Sequence, residues 1–589
     1  MKKLVAILLA GMMALSLAAC GSNNAGTTGD TTTPQVGSED TSNAGSGSDA
    51  VSGAGSIIKI GTPQPQTGTF SPLYFSSSYD GWTSNLVHEQ LIAYDENNER
   101  TPVLATALPE VSEDGLTYTY TLREGIKFSN GNDFTAEDVR FTVSALADPS
   151  YTGRYISYVE NMVGFDEMRD GSAQELSGIN VIDDYTISFT FKTARTDNDA
   201  LAFMGIMNAA DFPEYTVGDT SVFEDRNQTP VGTGPYMLVA WDQDTGAIHQ
   251  RNPEWHGTFA DGAADTVVIV PVNDLTKVEE LQAGNIDVFP MDITPDSIDA
   301  ITTMDGFDSV QYARAGMGYL TFNTAEGPTA DIAVRQAMMF AFDRVTATAT
   351  LFNSQEIPEG IAYVPTTYQN PVSIVGPMVR GEVAVDGLET YDFDTDRANQ
   401  ILDDAGWVRN AQGIREKDGE TLTIKILSMP DHSLLPTLVS MWDSEWTEIG
   451  ADVQVAYMDF NAILDIIYSQ DQLDQWNVFF LATSFTGDDM SSIYTVFHSS
   501  QVGDGLNNFS RIQDEELDGL LMQALQAVND EAAQKDLYDQ VAVRLNYLVA
   551  SMPIYGNVYF DHFNSDRVEG WRANSLYDFT RFIQDVVVK

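Results

Sequence analysis

Cysteine is almost absent: Cys20 is the single one in 589 residues. A lone thiol permits neither a disulfide framework nor a cysteine-ligated zinc site. Basic side chains are scarce too, with 30 Lys and Arg against 86 Asp and Glu and a formal charge of −56. Such a chain repels nucleic acid and anionic lipid; its acidity is either a solvated exterior or a preference for cationic or zwitterionic ligands. The six histidines, His88, His249, His256, His432, His498 and His562, never recur at the spacing of a zinc helix, so no metal site is expected. Beyond the first twenty residues no stretch reaches the roughly 18 apolar residues of a membrane span. Catalytic signatures are missing as well: there is no G-x-S-x-G elbow and no P-loop. Gly232-Thr233-Gly234-Pro235-Tyr236 lacks the third glycine of a dinucleotide fingerprint and reads as a turn. Asp392, Asp394 and Asp396 have the spacing of a calcium loop, but Arg397 stands where that loop needs glycine, so they are expected to start a helix. No enzyme and no cofactor are expected.

What is present begins at the N-terminus. Lys2 and Lys3 precede an apolar run from Leu4 to Leu17 that ends in Ala18 and Ala19, the pattern of a signal peptide over residues 1–19. Leu17-Ala18-Ala19-Cys20-Gly21 resembles a bacterial lipobox, which implies acylation of Cys20 and an extracytoplasmic protein anchored to the cell membrane by lipid. From Gly21 to Ser56 the chain is nearly all small and polar and cannot bury enough apolar surface to offset ordering entropy. It is expected to be a flexible tether of about 30 to 36 Å typical reach.

The stretch from Ile57 to Lys589 is too long for one core. Ile57-Ile58-Lys59-Ile60 reads as an opening strand, and Thr117 to Leu122 alternates Tyr118, Tyr120 and Leu122 on one face. Thr135 and Asp138 make a capping-box pattern at a helix start. Further helices are expected at 331–350, 394–405, 434–449, 514–529 and 531–551, with strands at 267–270, 422–427 and 453–455. Strands alternating with helices indicate an α/β architecture of sheets covered by helices.

Several segments then carry a resemblance. Leu116 to Phe128, Asn130-Gly131 and Thr135-Ala136-Glu137-Asp138-Val139 come first, followed by Thr233-Gly234-Pro235-Tyr236, Arg251-Asn252-Pro253 with Trp255, and Ala283 to Val288. Leu320-Thr321-Phe322-Asn323, Val334 to Ala337, Ala341 to Arg344 and Ala405-Gly406-Trp407 complete the order. Together they resemble the dipeptide and oligopeptide-binding family of extracellular solute-binding proteins, over essentially all of residues 57–589.

The resemblance implies a two-lobed periplasmic-binding-protein-like fold of type II, cluster C, with an extra domain on the first lobe. Lobe I would comprise 57–93, 216–315 and 556–589, the extra domain 94–215, and lobe II 316–555, with crossovers near 317–323 and 553–559. It also implies a monomeric receptor that captures a peptide or peptide-like small molecule and delivers it to an ABC transporter permease. Peptide-binding members hold the ligand's amine with an aspartate in a Trp-x-x-Asp-Tyr segment; here the corresponding stretch, Thr483-Ser484-Phe485-Thr486-Gly487-Asp488-Asp489, has no aspartate in register. Asp488 or Asp489 is expected to take over that role, with Ser484 among its hydroxyl partners. A pocket-lining aromatic corresponds to Phe460, and Tyr79, Trp82, Tyr236, Tyr319 and Asn323 are further ligand-binding candidates by segment. An oligosaccharide, nickel chelate or opine ligand is the alternative within this class. A secreted hydrolase or a sensor on a similar fold is the alternative outside it.

Overall fold

A computed structural model describes residues 55–314, 316–352, 385–484 and 490–589. Three sheets organise them. The first has seven strands in the order Phe307–Ala313, Val558–Asn564, Val288–Asp292, Ile57–Thr62, Thr266–Pro271, Gly246–Arg251 and Tyr236–Asp242. Ile57–Thr62 runs parallel to both of its neighbours, with Ile58 and Ile60 fully buried and Lys59 turned to the more exposed face. The second sheet has five strands, Asp452–Tyr457, Thr423–Ser428, Val478–Ser484, Gly316–Phe322 and Ser551–Tyr555, the first three of them mutually parallel. The third is a four-stranded antiparallel sheet built within the 94–215 stretch from Glu110–Val111, Thr117–Thr121, Thr186–Thr190 and Ile179–Asp183.

Each sheet has its own buried core. Trp442 and Trp446 stack 5.7 Å apart behind the five-stranded sheet. Tyr120, Phe189 and Phe191 lie in the core under the four-stranded sheet. Helix Ala136–Ala145 joins that core and begins as its sequence predicts: Asp138 accepts from the Thr135 amide at 2.9 Å while Thr135 Oγ1 accepts from Glu137. Asp394 likewise caps helix Thr395–Asp404, accepting from the Arg397 amide at 2.8 Å, as the rejection of a calcium loop requires.

Two helix expectations need correction. The single helix expected at 331–350 is two, Ile332–Phe340 and Arg344–Phe352. The break follows from tertiary bonds: the Asp343 amide donates to Glu445 Oε2, and the buried Arg344 guanidinium reaches the carbonyls of Pro553, Thr390 and Tyr391. The helix expected to reach Ser551 ends at Leu548, because Val549 adopts a left-handed φ of 49° and Arg335 draws the Leu548 and Val549 carbonyls away from the helix axis.

The chain passes between the first two sheets twice, once between Ala313 and Gly316 and once at Gly556-Asn557. The first crossover therefore precedes the expected 317–323, which is buried strand paired on both sides and has no freedom to bend. The two crossovers lie side by side, tied by the Arg314 amide donating to the Asn557 carbonyl at 3.0 Å. Two adjacent short connections between otherwise separate sheets are the arrangement from which hinge closure proceeds. Among the described residues no helix is long and apolar enough to cross a membrane.

Candidate functional site

In open α/β sheets ligands bind in the crevice beyond the carboxyl ends of the parallel strands. In the first sheet these ends lead into Gln64 to Gln66, Asn273-Asp274 and Ile293-Thr294; in the second they lead into Met429 to Leu434 and Met458 to Phe460. The two sets of loops face each other. Ser433 donates its amide to Asp274 Oδ2 at 3.2 Å and accepts from Thr294 Oγ1 at 3.2 Å, while Asn461 Nδ2 donates to the Pro65 carbonyl at 3.5 Å. The structure is thus closed over this crevice.

The rim on the first sheet is rigid because its charges are buried and paired. Lys277 Nζ donates to Asp292 at 2.6 Å, Asp274 at 2.8 Å and Thr294 at 2.9 Å. Asp292 also meets His562 Nε2 at 3.2 Å, and His562 meets Ser309 through Nδ1 at 2.7 Å. Burial alone would raise the Asp292 carboxyl, but His562 and Lys277 outweigh it and hold the group well below the usual carboxylate range. Facing this rim, burial pushes His432 down to about 4, so it is neutral at physiological pH; its Nδ1 accepts from the Leu434 amide.

A second side of the crevice comes from the 94–215 region. Glu160 accepts from Tyr494 Oη at 2.5 Å and from Gln501 Nε2 at 3.2 Å, and the Thr196 amide donates to the Leu525 carbonyl at 2.9 Å. Arg195, held by Asp197, lies 4.9 Å over the Tyr494 ring. Arg154 stands beside them: Nη1 donates to the Ser76 carbonyl at 2.9 Å and lies 3.5 Å from Tyr468 Oη, and its own carbonyl accepts from Asn507 at 3.3 Å.

The sequence candidates separate into two groups. Tyr79 packs edge-on to Trp82 with its hydroxyl end near Tyr559, Asp274 and Arg314, and Tyr319 has Arg314 and Tyr468 as its charged and phenolic neighbours. Phe460 opens helix Phe460–Ile467 beside Asn461, so Tyr79 and Phe460 adjoin the crevice loops, whereas Tyr319 is 5% exposed within a core that also holds Met317 and Tyr494. Trp82, Tyr236 and Asn323 are corrections. Trp82 is 3% exposed and packs 5.1 Å from Phe579. Tyr236 is buried with its hydroxyl donating to the Ala264 carbonyl at 2.8 Å. Asn323 is buried and clamps a turn, donating to Leu473 and Trp476 carbonyls and accepting from the Ala325 and Glu326 amides. The polar groups of Tyr236 and Asn323 are consumed inside the protein. The Ser484 side chain, Asp488, Asp489 and Cys20 lie outside the described residues, although the Ser484 backbone pairs with Gly316.

Sequence reasoning missed Arg154, Glu160, Asp274 and Ser433, which are brought together only by the fold. The one local signal was Arg154 itself, a rare cation set among Tyr151, Tyr155 and Tyr158.

The profile of the bacterial extracellular solute-binding proteins, family 5 Middle, matches residues 99–504. The chain belongs to this family. Its similarity to the oligopeptide-binding protein AppA of Bacillus subtilis is 23% identity over 481 residues, 80% of this chain and 81% of that protein. Among solved structures, AppA of Bacillus subtilis in complex with a nonapeptide superposes with a TM-score of 0.77 at 21% identity, covering 90% of this chain and 99% of that one. NikZ of Campylobacter jejuni in complex with Ni(L-His) superposes at 0.72 with 21% identity, covering 90% and 99%. These likenesses establish the two-lobed solute-binding fold; the ligands named differ from one relative to the next.

Proposed function

We propose that this family 5 solute-binding protein is a membrane-anchored receptor that closes its two lobes on a peptide or peptide-like ligand and hands it to an ABC import permease. The observation that carries this reading is the closed crevice between the carboxyl ends of two sheets, joined by two adjacent crossovers. Its walls offer aromatic faces from Tyr79 and Phe460 and backbone and hydroxyl groups, which suits a ligand with both apolar and polar surface. Solved relatives that hold peptides support the ligand class. The lipid anchor on Cys20 rests on the lipobox pattern. The receptor reading needs only binding and release. A ligand that binds the closed native form stabilises it by about 2.7 kcal/mol at 100 times Kd. Thermal unfolding in the presence of free-acid di- to hexapeptides, neutral oligosaccharides and nickel–histidine checks the ligand class. A shift with the peptides is expected, and a shift with the sugars or the chelate alone would overturn the peptide assignment.

A further inference from the structure

Resting on the receptor reading, we infer that Asp274 and Thr294 on one lobe and Ser433 on the other form a latch that lets the crevice close without ligand. Two helix starts carry the inference. Elsewhere in this protein a side chain caps its own helix: Thr135, Asp394, Asp459 and Asp514 each accept from an amide of the first turn that follows them. Helices Pro295–Thr302 and Leu435–Glu448 differ, since their N-cap residues, Thr294 and Leu434, make no side-chain bond to the helix. Threonine is a good capping residue, yet the Thr294 hydroxyl is turned away from its helix. It accepts from Lys277 Nζ at 2.9 Å and donates to Ser433 Oγ at 3.2 Å.

The second helix start completes the contact from the other side. Ser433, one residue before the N-cap of Leu435–Glu448, donates its amide to Asp274 Oδ2 at 3.2 Å. That helix has no acidic residue in its first turn, so Asp274 brings from the opposite lobe the negative charge that a helix start favours. A cap that other helices make locally is here made across the crevice. When the lobes part, the Ser433 amide and hydroxyl and the Thr294 hydroxyl return to water.

The receiving half of the latch is set before closure. Lys277 is buried and holds Asp274 Oδ1 at 2.8 Å and Thr294 Oγ1 at 2.9 Å, while Asp292 anchors the lysine at 2.6 Å. Asp292 is itself bound by His562 and by the Ser297 hydroxyl. All these bonds lie on the first-sheet side and persist when the lobes open, so little side-chain freedom is lost as Ser433 docks. Asn461, donating to the Pro65 carbonyl at 3.5 Å, closes in the same movement. No bond of the latch uses a ligand atom. The latch therefore biases the empty protein toward the closed form, and the affinity for any solute includes that bias.

Small-angle X-ray scattering of the protein, freed of copurified solute by unfolding and refolding, tests this without knowledge of the ligand. The empty wild type scatters as a mixture of closed and open forms. Asp274→Ala combined with Ser433→Ala lowers the closed-to-open ratio by about tenfold or more, with folding checked by circular dichroism. Ser297→Ala, which loosens the same Asp292 network without a partner on the other lobe, leaves the ratio unchanged. An empty wild type that scatters as the open form alone overturns the inference, as does a double variant whose ratio stays within twofold of wild type. A Ser297→Ala effect as large as that of the double variant overturns it too, since it assigns the change to the first-sheet rim and not to the contact. If the empty protein closes through these residues while peptides, oligosaccharides and nickel–histidine all leave its thermal midpoint unmoved, the latch stands and the receptor reading falls. If peptides close a protein that is fully open when empty, the receptor reading stands and the latch falls.

Discussion

Replacing Tyr494 with phenylalanine removes one hydroxyl from the closed form and leaves the ring, and its stacking under Arg195, in place. In the closed structure that hydroxyl donates to Glu160 at 2.5 Å across the crevice, while Gln501 donates to the other oxygen at 3.2 Å. When the lobes part, both groups return to water, so the interaction belongs to closure and not to the folding of either lobe. The net contribution of a hydrogen bond to a charged group is about 1.5 to 3 kcal/mol. Glu160 is only 17% exposed as a side chain and its carboxyl is pushed up by burial, so water does not readily replace the lost donor. Because ligand is held by the closed form, weakening closure by that amount raises the apparent Kd by about 10- to 100-fold. Calorimetric titration of wild type and Tyr494→Phe with the tightest-binding peptide measures it, alongside thermal unfolding of the ligand-free proteins. A Kd within twofold of wild type would refute the claim that this contact holds the lobes together. A loss of ligand-free stability as large as the loss in binding would show that it serves folding instead.

Three other outcomes are expected. Cys20→Ser abolishes membrane attachment and leaves the folded body intact, which cell fractionation reads directly. Ligand affinity falls by about tenfold between pH 7 and pH 5, because His432, held near 4 in the closed form, contributes closure stability that is fully present above its ordinary 6.5 and lost as pH falls toward 4. His432→Gln flattens that profile in pH-resolved titrations, whereas an unchanged slope would assign the pH dependence to another group. Arg335→Leu leaves four buried carbonyls without their donor and lowers stability by about 3 kcal/mol or more, seen as a shifted denaturation midpoint with ligand contacts untouched.

Local signals in the chain proved reliable where the bonds they predict are local. The Thr135 capping box and the Asp394 cap form within four residues of themselves, and both are present. The break before Arg344 was invisible because it is made by carbonyls at Thr390, Tyr391 and Pro553, far away in sequence. Segment order identified the family, yet it could not say which way a side chain turns: Tyr236 and Asn323 sit in matching segments and spend their polar groups on the core. Tyr79 and Phe460 stand at helix starts beside the crevice loops, while Tyr319 lies on a strand and is buried in a core. Arg154 and Glu160 acquire meaning only through residues more than 300 positions later, Tyr468, Tyr494, Gln501 and Asn507, a relation that no window of sequence contains.

The central claim is that the protein captures an intact solute in this crevice and does not transform it. Native mass spectrometry after incubation with an equimolar mixture of free-acid di- to hexapeptides measures that most directly. The account predicts a one-to-one complex whose bound peptide is released at its original mass, with the rest of the mixture unchanged. Shortened peptides in the mixture would contradict it in favour of a hydrolase, and the absence of any bound peptide would contradict the ligand class.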